Sequence, residues 1–144
     1  RQMCKETAAA RTHEWHLNLP DEPVEVVADR SQIQRVILNL LSNARKHTDE
    51  GTRVTAGLSV DAARREAVVT VADNGPGIAP DFLPKIFDRF TRADKARSGS
   101  DGTTGLGLAI VQAIVQAHDG SIQVQSQPGH TVFTVRLPLE AARA

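Results

Sequence analysis

The sequence predicts an α/β (α+β) two-layer sandwich, in which a mixed, mostly antiparallel sheet carries helices on one face. Strand-like and helix-like segments interleave without the regular βαβ alternation that a parallel sheet requires. The last two strand-like segments are separated only by Pro128 and Gly129, which predicts an antiparallel hairpin. With 144 residues, of which 40% are hydrophobic, the chain has the size and composition of one globular domain.

Two short strands are predicted near the N-terminus. Trp15, Leu17 and Leu19 alternate with polar residues, which is the period of a half-buried strand, and Pro20 ends the pattern. The apolar run VEVVA at 24–28 predicts a second strand.

A helix is predicted to follow and to run to about Thr48, with Asp29 or Ser31 as its N-cap. Its apolar face has helical spacing and consists of Ile33, Val36, Ile37, Leu40, Leu41 and Ala44. Asn39 and Asn43 lie one turn apart beside that face. Because an amide is costly to bury without a partner, either a ligand or internal backbone groups should use these side chains.

Two hairpins and a second helix complete the predicted fold. Alternation over 52–61 and an apolar run over 66–73 predict the first hairpin. GLGLAIVQAIVQAHDG predicts an apolar helix, for which Gly120 is a good C-terminal cap. SIQVQSQ and HTVFTVRLP predict the two strands of the closing hairpin.

Composition restricts the partners and the compartment. The 17 basic and 17 acidic residues balance, so the net charge predicts neither nucleic acid nor an anionic membrane as a partner. The single cysteine, Cys4, fits a reducing compartment. No apolar run approaches the roughly 20 residues of a membrane-spanning helix. Residues 1–12 are interpreted as a linker remnant or an N-terminal tail that precedes a domain at 13–144.

Asp73 ends an apolar strand and is followed at once by Asn-Gly-Pro-Gly-Ile. Gly75 and Gly77 permit positive φ and a close backbone approach, and the carboxylate can only accept hydrogen bonds at neutral pH. One interpretation is a pocket floor that accepts a hydrogen bond from a ligand amino group. A simple turn explains the Asn-Gly pair equally well.

The residues before the second helix suit a phosphate. Gly105 and Gly107 lie where a loop enters the helix, and exposed amides at the positive end of a helix dipole favour an anion. The pattern is not a P-loop, because no Gly-Lys-Ser or Gly-Lys-Thr follows. Tight packing of the helix against the sheet explains the glycines almost as well.

Two further groups of residues suit a polyphosphate. Asn39, Asn43 and Lys46 form one stripe along the first helix, and an amide oxygen beside an ammonium suits Mg²⁺ with phosphate. The basic side chains between 85 and 97 could close over such a ligand, although a solvated surface is the usual fate of a charged run. The apolar residues that would anchor this segment are Ile86, Phe87 and Phe90.

Taken in order, these segments resemble the catalytic and ATP-binding domain of sensor histidine kinases, which has the Bergerat ATP-binding fold. NLLSNARKHT is similar to the family's N box, DNGPGI to its G1 box, FDRFTRAD to its F box and GTTGLGLAIV to its G2 box. The resemblance covers about Trp15 to Leu139. It implies protein-histidine kinase activity with ATP and Mg²⁺ as cofactors.

The resemblance also implies roles for individual residues. Asn43 would ligate Mg²⁺ and take part in catalysis, Asn39 would support the metal and phosphate site, and Lys46 would meet phosphate. Asp73 would accept the adenine amino group, directly and through water. The other nucleotide-binding positions that the boxes imply are His47, Gly75, Gly77, Ile78, Thr104, Gly105, Leu106, Gly107 and Leu108.

Residues from about 79 to 104 would form the ATP lid, from which Arg89 or Arg92 would touch the γ-phosphate as a catalytic residue. Thr103 replaces a glycine of the family's Gly-Gly-Thr-Gly, which predicts a stiffer lid hinge. Asn39 stands where gyrase and MutL have a glutamate that activates water, and an amide cannot act as a general base. ATP is therefore expected to be held for transfer, with little hydrolysis.

The implied partner is a separate dimerisation/phosphoacceptor domain of the same parent, and through it a response regulator. His13-Glu14 begins like the acceptor motif, but no proline follows in register, so the acceptor histidine is expected to lie elsewhere. His118 is expected to be structural or exposed. By analogy the domain would be cytoplasmic, without direct membrane contact, in a membrane-receptor parent. The alternatives are an anti-sigma-factor-type serine kinase and a degenerate ATP-binding module that keeps the fold for protein contacts.

Overall fold

A five-stranded sheet and two helices form two layers in the computed structural model, which describes residues 13–46, 51–88 and 107–139. The strands are β1 (Glu14–Asn18), β2 (Arg53–Asp61), β3 (Glu66–Asp73), β4 (Ser121–Gln127) and β5 (His130–Pro138). The helices are α1 (Arg30–Lys46) and α2 (Gly107–Ala117), and a turn of 3₁₀ helix spans Leu83–Lys85.

The sheet is mixed, with the strand order β1-β2-β3-β5-β4. β1 runs parallel to β2, and the other three neighbouring pairs are antiparallel. Both predicted hairpins are present: Asp61 pairs with Glu66 where β2 turns into β3, and Gln127 pairs with His130 where β4 turns into β5. The predicted mixed, mostly antiparallel sheet is confirmed.

Both helices pack on the same face of the sheet, which confirms the two-layer architecture. Val36 and Leu40 of α1 share one buried cluster with Val111 and Val115 of α2. The sheet contributes to this cluster the inward side chains Val54, Val71, Phe133, Val135 and Leu137. Each fully buried valine or leucine contributes about 1.5–3 kcal/mol, so this cluster is the main source of stability.

Helix α1 begins at one of its two predicted N-caps, Asp29. The Asp29 Oδ1 atom accepts the N–H of Gln32 at 3.1 Å and the hydroxyl of Ser31 at 2.9 Å. These two hydrogen bonds hold the pKa of the Asp29 carboxyl below its usual value. Ser31 is therefore a donor to the cap and not the cap itself.

Helix α2 ends in a Schellman motif. The N–H of Gly120 donates to the carbonyl of Val115 at 2.9 Å, and the N–H of Asp119 donates to that of Gln116 at 3.0 Å. Asp119, with φ of 65°, occupies the left-handed position for which a glycine is usual. Gly120 is required for a different reason, because a Cβ there would collide with the carbonyl oxygen of Arg136.

Of the two strands predicted near the N-terminus, the first is confirmed as β1 and the second is wrong. Residues 24–28 form no strand: Val26 packs against the core, but no strand of the described sheet pairs with the segment. Burial of one side of an extended segment therefore produced the apolar pattern. Because β1 is an edge strand, only its Trp15 reaches the core, and Leu17 is 66% exposed; Leu19, beyond the end of β1, is 62% exposed. Neither helix in the described part of the chain has the length and apolar character needed to span a membrane.

Candidate nucleotide-binding site

Asp73 is the last residue of β3 and lies, partly buried, on the helix-covered face of the sheet. Its partners in register are Val54 of β2 and Thr131 of β5, which are both buried. The Oδ1 atom of Asp73 accepts the N–H of Gly75 at 2.9 Å, while Oδ2 has no hydrogen-bond partner among the described residues. Burial raises the pKa of Asp73, and the Gly75 hydrogen bond opposes that shift. This carboxylate is therefore held in place with one oxygen available to accept a ligand N–H.

The residue after Asp73 extends the β2/β3 ladder. The N–H of Asn74 donates to the carbonyl of Arg53 at 3.2 Å, and the Asn74 Oδ1 atom accepts the N–H of Arg53 at 2.8 Å. The asparagine of DNGPGI thus has a structural role, which is to fix the end of β3. A free hairpin turn, which was the simpler interpretation of Asn-Gly, is excluded because Asn74 lies between β3 and the loop to residue 78.

The following residues are fixed to the turn of the β4/β5 hairpin. The N–H of Gly129 donates to the carbonyl of Gly75 at 2.9 Å. The N–H of Ile78 donates to Ser126 Oγ at 2.8 Å. The loop that carries DNGPGI is therefore held from both sides, by β2 and by the closing hairpin, and the position of the Asp73 carboxylate is set in advance of any ligand.

Of the two glycines in DNGPGI, only Gly77 has a left-handed backbone, with φ of 93°. A Cβ at Gly77 would lie 2.8 Å from the carbonyl oxygen of Gln127. Gly77 is therefore required by the contact between the loop and the hairpin. The predicted reason, the approach of a ligand base, is not needed to explain this glycine.

Two hydroxyl residues that the sequence pattern did not single out follow Asp73 across the sheet, Thr131 in β5 and Ser126 in β4. Thr131, directly opposite Asp73 in β5, is only 4% exposed. Its Oγ1 atom lies 2.7 Å from Ser126 Oγ, which also accepts the N–H of Ile78. The available signal was the alternation of HTVFTVRLP, which places Thr131 on the same face as Phe133, a polar residue at a core-facing position.

The α1 amides are partly exposed and flank the core. In the sequence, Asn39 directly precedes Leu40 and Asn43 follows it by three residues; Leu40 is fully buried. Neither amide makes a side-chain hydrogen bond to another described residue. Within the described part of the chain, the alternative that these amides bond to internal backbone groups is therefore not supported. Lys46 is the last residue of α1.

The start of α2 is open. Gly107 is its first residue, and a Cβ built there would meet no atom of the described residues within 4 Å. Tight packing against the sheet therefore does not explain this glycine, and the free space suits a ligand near the helix N-terminus. Leu108 is partly buried and packs against the core, which fixes the first turn of the helix.

The start of the expected lid is anchored as predicted. Ile86 is buried, and Phe87 makes an edge-on contact with Phe133, with ring centroids 6.3 Å apart. Phe90, the third expected anchor, lies outside the described residues. The other predicted site residues that lie outside the described part of the chain are His47, Arg89, Arg92, Thr104, Gly105 and Leu106. Their roles stay predictions.

Comparison with known proteins identifies the family. The model of the histidine kinase-, DNA gyrase B- and HSP90-like ATPases matches residues 28–141. The chain belongs to this family, and within it corresponds to the catalytic domain of sensor histidine kinases, as its motifs predicted. It is 50% identical to the probable sensor histidine kinase TcrY of Mycobacterium tuberculosis over 132 residues, which are 92% of this chain and 27% of TcrY. The chain thus spans about a quarter of that relative.

Solved structures show the same fold. The mycobacterial sensor histidine kinase MprB superimposes with a TM-score of 0.76 and 34% identity, covering 93% of this chain and 89% of the MprB chain. Full-length ShkA, solved in complex with AMPPNP, superimposes with a TM-score of 0.77 and 28% identity, covering 99% of this chain and 29% of ShkA. The predicted Bergerat-type fold is confirmed.

Proposed function

We propose that this domain binds Mg²⁺-ATP and donates the γ-phosphoryl group to a histidine on a separate dimerisation/phosphoacceptor domain of its parent. The observation that carries the proposal is Asp73, a partly buried carboxylate held by Gly75 with its second oxygen open. The amino group of adenine is a donor that matches this acceptor. Guanine presents a carbonyl oxygen at the same ring position and would place an acceptor against an acceptor.

The helices supply the phosphate side of the site. Asn43 would hold Mg²⁺ through its amide oxygen, which suits a hard cation that uses few protein ligands and keeps several waters. The metal would neutralise charge on the phosphates. Gly107 offers a backbone N–H at the positive end of α2, where no described residue would meet a side chain. The AMPPNP complex of ShkA supports a nucleotide in this fold.

Transfer is favoured over hydrolysis. Asn39 lies one turn before Asn43 and, as an amide, has no basic group with which to deprotonate water. A bound nucleotide would therefore keep its γ-phosphoryl group until an acceptor side chain arrives. The residues implied to contact that group in the closed state are Lys46, Arg89 and Arg92.

The acceptor is proposed to lie in the remainder of the parent protein. The relatives are longer sensor kinases, of which this chain spans 22–27% in three examples. The phosphoacceptor domain would be the direct partner and a response regulator the indirect one. A cytoplasmic position beneath a membrane-bound parent completes the proposal.

Calorimetric titration tests the nucleotide site. We expect ATP to bind only weakly in EDTA and more tightly with Mg²⁺, and to bind at least about tenfold more tightly than GTP, because GTP leaves the Asp73 acceptor unpaired. Equal affinity for ATP and GTP would contradict the role of Asp73. The absence of any Mg²⁺-dependent binding would favour the degenerate interaction module.

A further inference from the structure

His118 joins the end of α2 to the start of α1. Its Nδ1 atom lies 2.9 Å from the carbonyl oxygen of Ile114, and its Nε2 atom lies 3.1 Å from the backbone nitrogen of Asp29. A carbonyl can only accept a hydrogen bond and an N–H can only donate one. The two contacts therefore require a neutral imidazole with its proton on Nδ1, and Nε2 acts as the acceptor.

The Asp29 N–H is the backbone donor of the α1 N-cap. In a capping box this group is satisfied within its own helix, by the side chain three residues later. Here the acceptor comes from the other helix, while the Asp29 carboxylate is engaged by Ser31 and Gln32 of α1. His118 thus completes the cap of α1 from the end of α2 and links the two helices by a directional bond.

The backbone around His118 is itself held in place. His118 is the residue after α2, immediately before the left-handed Asp119 of the Schellman motif. Gly120 lies against the carbonyl of Arg136 in β5 so closely that no side chain would fit. The imidazole therefore ties the start of α1 to a corner of the sheet.

The two helices are antiparallel, so both extend from this junction, α1 from its start and α2 back from its end. Asn43 lies 14 residues along α1 from Asp29, a distance of about 21 Å, and Gly107 lies 11 residues back along α2 from His118, about 16 Å. A tilt of about 5° at the junction would displace the far ends by about 1–2 Å, well beyond the ~0.2 Å tolerance of metal–ligand distances. The apolar contacts between the helices set their packing, and the His118 hydrogen bond adds a directional restraint at this end.

We infer that His118 is a positioning residue for the Mg²⁺-nucleotide site: its Nε2 acceptor sets the orientation of α1 relative to α2, and with it the position of Asn43 relative to Gly107. The inference rests on the proposed function of that site. His118 touches neither nucleotide nor metal, and acts through the N-cap of α1.

Three variants and one spectrum test this inference. His118→Leu removes the acceptor, and His118→Gln keeps an acceptor oxygen at a similar reach. Asp29→Ala is the matched control, because it removes the cap carboxylate but retains the N–H that His118 binds. We expect His118→Leu and Asp29→Ala both to lower Tm, but only His118→Leu to raise the Kd for Mg²⁺-ATP, by about five- to tenfold. The Kd of His118→Gln for Mg²⁺-ATP should be close to that of the unmodified chain.

The spectrum reports the hydrogen bond directly. A ¹H–¹⁵N correlation of the imidazole at about pH 8, where an ordinary histidine is neutral, should show the proton of His118 on Nδ1. A proton on Nε2 would overturn the inference. So would equal weakening of binding by His118→Leu and Asp29→Ala, or failure of His118→Gln to restore it. If His118→Leu does not fold, His118→Asn, whose amide is too short for the bond, takes its place.

The inference and the proposed function fail separately. If the unmodified chain does not bind Mg²⁺-ATP, the proposed function fails, while the Nδ1–H tautomer still reports the junction. If the unmodified chain binds and the variants do not differ as expected, the positioning role alone is rejected.

Discussion

Replacement of Asp73 by asparagine is expected to abolish the preference for ATP while the domain stays folded. The Oδ1 atom of asparagine can still accept the Gly75 N–H, so the loop should keep its shape. The amide NH₂ would instead face the adenine amino group, donor against donor. We expect ATP affinity to fall about 10- to 100-fold, which is the effect of an unsatisfied polar group in a binding site.

The expected stability of Asp73→Asn follows from the direction in which folding shifts the pKa of Asp73. Burial raises the pKa of Asp73, so the folded state disfavours the carboxylate. The stability that the protonated carboxyl contributes is lost as the pH rises through the raised folded-state pKa. At neutral pH the charge therefore destabilises the ligand-free fold, and Asp73→Asn should leave Tm unchanged or slightly higher.

Parallel titrations with ATP and GTP and a thermal melt measure both effects. Asp21→Asn, at an exposed carboxylate, makes the same chemical change outside the site and should alter neither. A large drop in Tm with nucleotide selectivity retained would show that Asp73 serves the fold and not the base.

Replacement of Asn43 by alanine is expected to remove the Mg²⁺ dependence of nucleotide binding. The Asn43 amide makes no hydrogen bond to another described residue, and alanine favours a helix more than asparagine does, so α1 should remain intact. Affinity in Mg²⁺ should fall by at least about tenfold, since even residues behind a metal ligand have effects of that size. The ratio of affinities in Mg²⁺ and in EDTA is the measurement.

Gln34→Ala is the matched control for Asn43→Ala. Gln34 is an exposed amide on the same helix, about two and a half turns closer to its start and outside the proposed site. It should leave both the Mg²⁺ dependence and Tm close to those of the unmodified chain. If Asn43→Ala lowered Tm strongly and left the Mg²⁺ dependence intact, the amide would have a structural role and another group would hold the metal.

Local patterns predicted most of the fold. A period of 2 located β2, β4 and β5, and a continuous apolar run located β3, with bounds that differ by at most one residue from those observed. Residue type and position limited the N-cap of α1 to Asp29 or Ser31, and the structure selects Asp29. The error at 24–28 shows the limit of such patterns, because one buried side is shared by strands and by unpaired extended segments.

The site was only partly predictable. Its ligand-binding residues lie in short sequence motifs, but the residues that hold those motifs in place are distant in the sequence. Asp73 was recognisable from its place at the end of a strand. The need for glycine at Gly77 depends on Gln127, which is 50 positions away, and the acceptor for the Asp29 N–H is His118, 89 positions away. No periodicity within a segment carries that information. Thr131 could have been noticed as a polar residue on an apolar face.

Phosphoryl transfer between two separate proteins tests the central claim most directly. This chain would be mixed with the phosphoacceptor domain of its parent, Mg²⁺ and ATP labelled in the γ-phosphate, after association of the two proteins has been verified. We expect an acid-labile label on the acceptor, which is absent when its histidine is replaced and absent with Asn43→Ala. An associated pair in which this chain binds Mg²⁺-ATP yet leaves the acceptor unlabelled, or labels it at an acid-stable serine, would contradict the account.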